Sequence, residues 1–111
     1  MTGQHFADMA SMADIVDRLV AEAQIRRIIL YGSRAAGTAG TESDIDLLIF
    51  EAGAPNKRRE QRRLRALLPA DLPVWVDLWV MSEEQFEEEK DFIGGLAYPA
   101  NKYGRVLYEK P

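Results

Sequence analysis

Two short apolar runs, joined by a connection rich in Gly, Ser and Thr, set the terms for this chain. The first run is Ile25-Arg-Arg-Ile-Ile-Leu-Tyr31 and it ends in Gly32-Ser33. The second, Asp46-Leu-Leu-Ile-Phe50, is opened by Asp44-Ile-Asp46. It is too apolar and too short for a surface helix, so it reads as a buried strand over 44–50. Side chains alternate along a strand, so Asp44 and Asp46 share a face, with Cα atoms roughly 6.6 Å apart. Two carboxylates side by side repel, and one loses its charge unless a cation lies between them. A hard divalent cation with oxygen ligands fits, and Mg²⁺ is the usual one beside phosphates.

The same stretch carries phosphate-binding chemistry. Gly32 has no Cβ, so backbone there can approach a ligand closely. Ser33 stands where a short helix over 33–39 can begin, and a Ser at a helix N-terminus is a natural anion site. Ten residues, Arg34 to Ser43, separate Gly-Ser from Asp-x-Asp. That length suits a short helix and a turn that bring the two strand ends together. A third carboxylate lies in Val74-Trp-Val-Asp77-Leu-Trp-Val80, apolar everywhere except Asp77. An ionised carboxylate in such a strand costs several kcal/mol unless paired or coordinated. No local basic residue offers itself, and a metal shared with Asp44 and Asp46 accounts for it.

The rest of the chain supplies a frame. Residues 1–10 are expected to be a flexible tail, and they hold the only histidine, His5. An amphipathic helix over 11–24 follows, with Ser11 as its cap and Ile15, Leu19, Val20 and Ala23 on one face. After the strand 44–50, Asn56 caps a helix Lys57 to Leu68, which packs six basic residues against one acid, Glu60. That run is either a solvated outer face or a basic patch for an acidic partner or RNA phosphates. A third strand spans 74–80, on which Trp75 and Trp79 share the face of Asp77, as core or as walls for a base. Ser82 caps an acidic helix with Glu83 and Glu84 in its first turn. A last helix, 91–102, is interrupted by Gly94-Gly95 and ends at Gly104 as a C-cap. Val106-Leu-Tyr108 is a short closing strand at a sheet edge.

The expected fold is α/β (α+β): a small mixed sheet of about four strands, with helices packed mainly on one face. At 111 residues it is one domain, 1–111. A net charge of -4 argues against direct nucleic-acid binding. With no cysteine there are no disulfides or thiolate metal sites. No signal peptide and no apolar run of roughly 20 residues is seen, so no membrane contact and a cytoplasmic location are expected.

Gly32-Ser33, ten residues, Asp44-x-Asp46 and a later carboxylate strand together resemble the DNA polymerase β-like nucleotidyltransferase superfamily. Within it, the chain resembles the minimal nucleotidyltransferases, which include the antitoxin halves of HEPN/MNT toxin–antitoxin pairs. The likeness runs from the opening helix through Tyr31-Gly-Ser-Arg34, Ser43-Asp-Ile-Asp-Leu47 and Val76-Asp-Leu78 to the closing Tyr103-Gly-Arg-Val-Leu-Tyr108. It implies that Asp44 and Asp46 bind two Mg²⁺ ions, and that Asp77 binds one of them and helps activate an acceptor hydroxyl. Gly32 and Ser33 would hold the β- and γ-phosphates of ATP, with Arg34 and Ser43 also among the nucleotide-binding residues. Ala36 stands where the family usually has a second Arg, which removes one positive charge near the site. The implied reaction is AMP transfer from ATP to a tyrosine of a HEPN toxin. The alternatives are neutralisation of a partner by contact alone, or a small-molecule nucleotidyltransferase of the aminoglycoside type.

Overall fold

The computed structural model describes residues 11–22, 24–38, 40, 43–53 and 56–111; His5 with the tail, and Ala23, lie outside them. The elements are α1 (Ser11–Glu22), β1 (Ile25–Tyr31), α2 (Ser33–Ala36), β2 (Ile45–Glu51), α3 (Lys57–Arg65), β3 (Val76–Met81), α4 (Glu83–Glu89), α5 (Ala97–Tyr103) and β4 (Arg105–Glu109). One mixed sheet runs in the order β3-β2-β1-β4. β1 pairs antiparallel with both β2 and β4, while β2 and β3 are parallel. The parallel pair follows from a long connection that carries a helix, whereas the antiparallel β1–β2 pair needs only the short α2 turn.

Every residue of β2 except Asp46 is buried, as a central strand covered on both faces requires. On one face Met12, Ile15 and Leu19 of α1 and Leu64 of α3 pack against Ile28, Leu30, Leu47, Ile49, Leu78 and Val80. The two longest helices therefore share a face. The shorter α4 and α5 cover part of the other, placing Phe86, Ala97 and Ala100 on Ile29, Tyr31, Leu48, Phe50 and Met81. There Phe50 and Phe86 meet edge to face with centroids 4.9 Å apart, and the Arg27 guanidinium lies 4.4 Å above Phe50. Arg26 and Arg27 pair with Glu83 at 2.9 and 3.3 Å, at the end of β1 remote from Gly32.

The helix caps follow the expected chemistry. The Asn56 side chain accepts from the Arg59 N–H at 3.0 Å, and Ser82 Oγ from the Gln85 N–H at 3.0 Å. α3 also protects an exposed sheet edge. The Val80 N–H on the outer side of β3 donates to Gln61 Oε1 at 3.0 Å, and the Val76 carbonyl accepts from Arg65. The last helix is shorter than its sequence pattern suggests. Residues 91–96 form turns, with Gly94 at φ 130, and helix begins only at Ala97, leaving Pro99 in the first turn where its missing N–H costs nothing. Gly104 ends α5 at φ −76, so handedness does not select it. Close approach does: a Cβ there would lie 2.2 Å from the Ala100 carbonyl oxygen and 2.5 Å from Ile29 Cγ2.

Candidate active site

Strand direction assembles the site. β1 runs toward Tyr31 and Gly32, whereas β2 and β3 both start at that same end of the sheet. Tyr31 is paired with Asp46 and Asp46 with Asp77, so the three lie in one row across adjacent strands. Neighbouring strands are about 4.8 Å apart, which sets the two carboxylates side by side. Both are half-buried. Asp44 precedes β2 at the mouth of the row and is exposed.

The electrostatics mark an acidic cluster. Asp46 is pushed up to about 6, first by burial, then by the charge of Asp77, a hydrogen bond to Asp77, and last the charge of Asp44. Burial, with Asp46 and Asp77 adding to it, raises the Tyr31 hydroxyl well above the usual phenol range, so it stays protonated beside them. Among the described residues no group of three carboxylate or imidazole side chains already encloses a metal ion. Asp46 and Asp77 are brought together, and Asp44 must turn inward to join them. The donor set, all carboxylate oxygen, suits a hard divalent cation in both charge and ligand type.

The turn before α2 is shaped against this pair. Gly32 adopts φ 76 and ψ −160, a region open essentially to glycine alone. A Cβ built on it would meet Asp46 Oδ2 at 2.3 Å. Glycine here therefore lets the backbone touch a carboxylate. Ser33 starts the single turn of α2 and is half-buried; the first N–H groups of that turn lack helical carbonyl partners.

Arg34 and Ser43 bind each other. Arg34, 8% exposed, donates from Nε at 3.1 Å and Nη2 at 2.6 Å to the Ser43 carbonyl. Ser43 Oγ accepts from the Gly40 N–H at 2.9 Å. This closes the connection so that Asp44 enters β2 at a set place. The two tryptophans are exposed rather than core, Trp75 at 57% and Trp79 at 43%. The Trp75 indole Nε1–H donates to Asp77 Oδ1 at 2.8 Å, which gives Asp77 the partner its own strand sequence hides.

The structure gives Tyr31 and Trp75 definite contacts in the site: Tyr31 joins the carboxylate row, and Trp75, which shares the face of Asp77, hydrogen-bonds it. The one sequence signal for Tyr31 is its position just before Gly-Ser; for Trp75 it is the i, i+2 spacing to Asp77.

A β-sheet that presents a Gly-Ser turn and carboxylates from two parallel strands at one end defines a nucleotidyltransferase-type domain. The comparisons agree. The family model described as "Nucleotidyltransferase domain" matches residues 11–97, and the chain belongs to that family. No curated protein matches the sequence. Among solved structures, a putative nucleotidyltransferase from Sulfolobus solfataricus superposes with TM-score 0.67 at 16% identity, over 97% of this chain and 88% of that one. A toxin–antitoxin structure with AMP-PNP gives TM-score 0.61 at 20% identity, over 87% of this chain and 73% of that one. A mutant of the MntA–HpeT toxin–antitoxin gives 0.62 at 21%, over 89% and 72%. No helix among the described residues is long and apolar enough to cross a membrane.

Proposed function

We propose that this nucleotidyltransferase is the antitoxin of a cytoplasmic toxin–antitoxin pair, and that it transfers AMP from ATP to a tyrosine hydroxyl of a HEPN-type toxin. The observation that carries the reading is the row Asp46–Asp77, with Gly32 touching Asp46. Two neighbours of the same fold are described as toxin–antitoxin structures, one of them with AMP-PNP, which supports the choice of partner and nucleotide.

Asp44, Asp46 and Asp77 would hold two Mg²⁺ ions. When bound, such ions neutralise charge on the attacking and leaving oxygens. The residues of the chain do the rest. Gly32 and Ser33 receive the β- and γ-phosphates against the N–H groups of α2. Asp77 takes the proton of the acceptor hydroxyl as its oxygen bonds to the α-phosphorus. The bond from that phosphorus to the bridging oxygen breaks and pyrophosphate leaves. Arg34 and Ser43 act by holding the loop from which Asp44 emerges.

A second reading, neutralisation by contact alone, draws on one observation: no three carboxylates are already closed around a metal position among the described residues. One experiment separates the two. The toxin partner is incubated with this protein, ATP and Mg²⁺, and its intact mass is measured beside an Asp44→Ala/Asp46→Ala control. Gain of mass in AMP-sized steps, absent in the control, establishes transfer. Unchanged mass with a stable complex and full neutralisation in both proteins establishes contact.

A further inference from the structure

We propose that Trp75 is a positioning residue for Asp77. Its indole N–H fixes one carboxylate oxygen and so aims the other at the cation shared with Asp46. This rests on the metal-binding reading above. The indole donates to Asp77 Oδ1 at 2.8 Å, and the same carboxylate meets the Asp46 carboxyl, the contact that a shared cation would replace.

Trp75 is itself held at two further points, although 57% of it is exposed. Its carbonyl accepts from the Ile45 N–H at 2.9 Å, and Ile45 is the residue between Asp44 and Asp46. The Arg65 guanidinium lies 4.4 Å over its ring, a cation–π stack. Arg65 is in turn anchored to the Val76 carbonyl. A solvent-exposed indole gains little by packing, so these restraints are hard to explain as core formation. They place a neutral donor at a carboxylate whose other neighbours are acids. Neutral donors suit that place: a Lys or Arg there would compete with the cation for the same charge.

Groups that hold a metal ligand from behind commonly contribute 10–100-fold to metal affinity. An exposed donor shares its hydrogen bond with water, so the lower end, about tenfold, is expected for Trp75→Phe. That variant keeps an aromatic ring beside Arg65 and removes the N–H together with the five-membered part of the indole. Trp79→Phe is the control, because Trp79 lies on the face of Asp77 and gives it no hydrogen bond.

The test is titration of the metal-free protein with Mn²⁺ by calorimetry, for wild type, Trp75→Phe and Trp79→Phe. The expected result is affinity about tenfold weaker in Trp75→Phe and within about twofold of wild type in Trp79→Phe. A second readout leaves Trp75 in place. In Trp79→Phe it is the only remaining tryptophan, and its fluorescence is expected to be quenched by paramagnetic Mn²⁺ and restored when Mg²⁺ displaces it. Equal affinity in Trp75→Phe and wild type, equal losses in both variants, or no quenching with Mn²⁺ bound would overturn the role of Trp75 and leave the metal site standing. No Mn²⁺ binding by wild type would overturn both.

Discussion

Gly32→Ala tests whether the Gly-Ser turn is built against Asp46. Two costs follow from the structure. At φ 76 and ψ −160 a residue with a Cβ sits in a region essentially reserved for glycine, at about 1–3 kcal/mol. The new Cβ also lies 2.3 Å from Asp46 Oδ2, so the carboxylate must swing off its rotamer, at about 0.5–1.5 kcal/mol. The expected loss is about 2–4 kcal/mol, or about 8–16 °C in Tm for a domain of this size. Urea unfolding of metal-free protein measures it. The same substitution in an Asp46→Ala background keeps the strain and loses the carboxylate clash, so it should cost about 1 kcal/mol less. A loss under about 0.5 kcal/mol would refute the strain argument. An equal loss in both backgrounds would refute the contact with Asp46.

Two further outcomes are expected. In the metal-free fold Asp46 keeps its proton up to about pH 6, whereas unfolded it releases it near 3.8. The folded state thus binds more protons between these values, and stability falls as pH rises through 6. Glu51, pushed up to about 7 chiefly by burial, adds a later loss of the same sign. Urea unfolding at a series of pH values in chelator should show both losses. Asp46→Asn should remove only the first, and Mg²⁺ at pH 8 should restore stability by binding the folded state; a profile unchanged by Asp46→Asn would exclude Asp46 as its source. Asn56→Ala removes the cap of α3 and should cost about 1 kcal/mol in thermal unfolding without changing Mn²⁺ affinity, because the cap lies outside the carboxylate row.

The strands were legible because their apolar runs are short, bounded by turn residues and broken by single carboxylates. The caps Asn56 and Ser82 were legible because capping is local chemistry within three residues. What escaped depends on contacts between distant segments. Nothing local marks Arg34 as the group that grips the Ser43 carbonyl, since the two meet only when the connection folds back. Trp75 and Trp79 are apolar in sequence and exposed in the fold, because β3 is an edge strand and α4 and α5 cover only part of its Asp77 face. Gly104 is read from sequence as a C-cap and is one, but the reason for glycine there is steric and depends on Ile29 from another strand.

For this protein, sequence by itself determined which residues carry charge into apolar strands, Asp46 and Asp77, with Asp44 just before the first of them and Gly32-Ser33 ahead. Patterning of that kind is one-dimensional, since burial of a carboxylate is implied by its immediate neighbours. Only the tertiary structure decided how the three stand to one another. β2 and β3 are parallel and in register, and β1 is antiparallel to β2. Pairing therefore brings Tyr31, Asp46 and Asp77 into one row and leaves Asp44 at its mouth. Register is a property of strand pairs, and a shift of one residue would have turned Asp77 to the opposite face of the sheet.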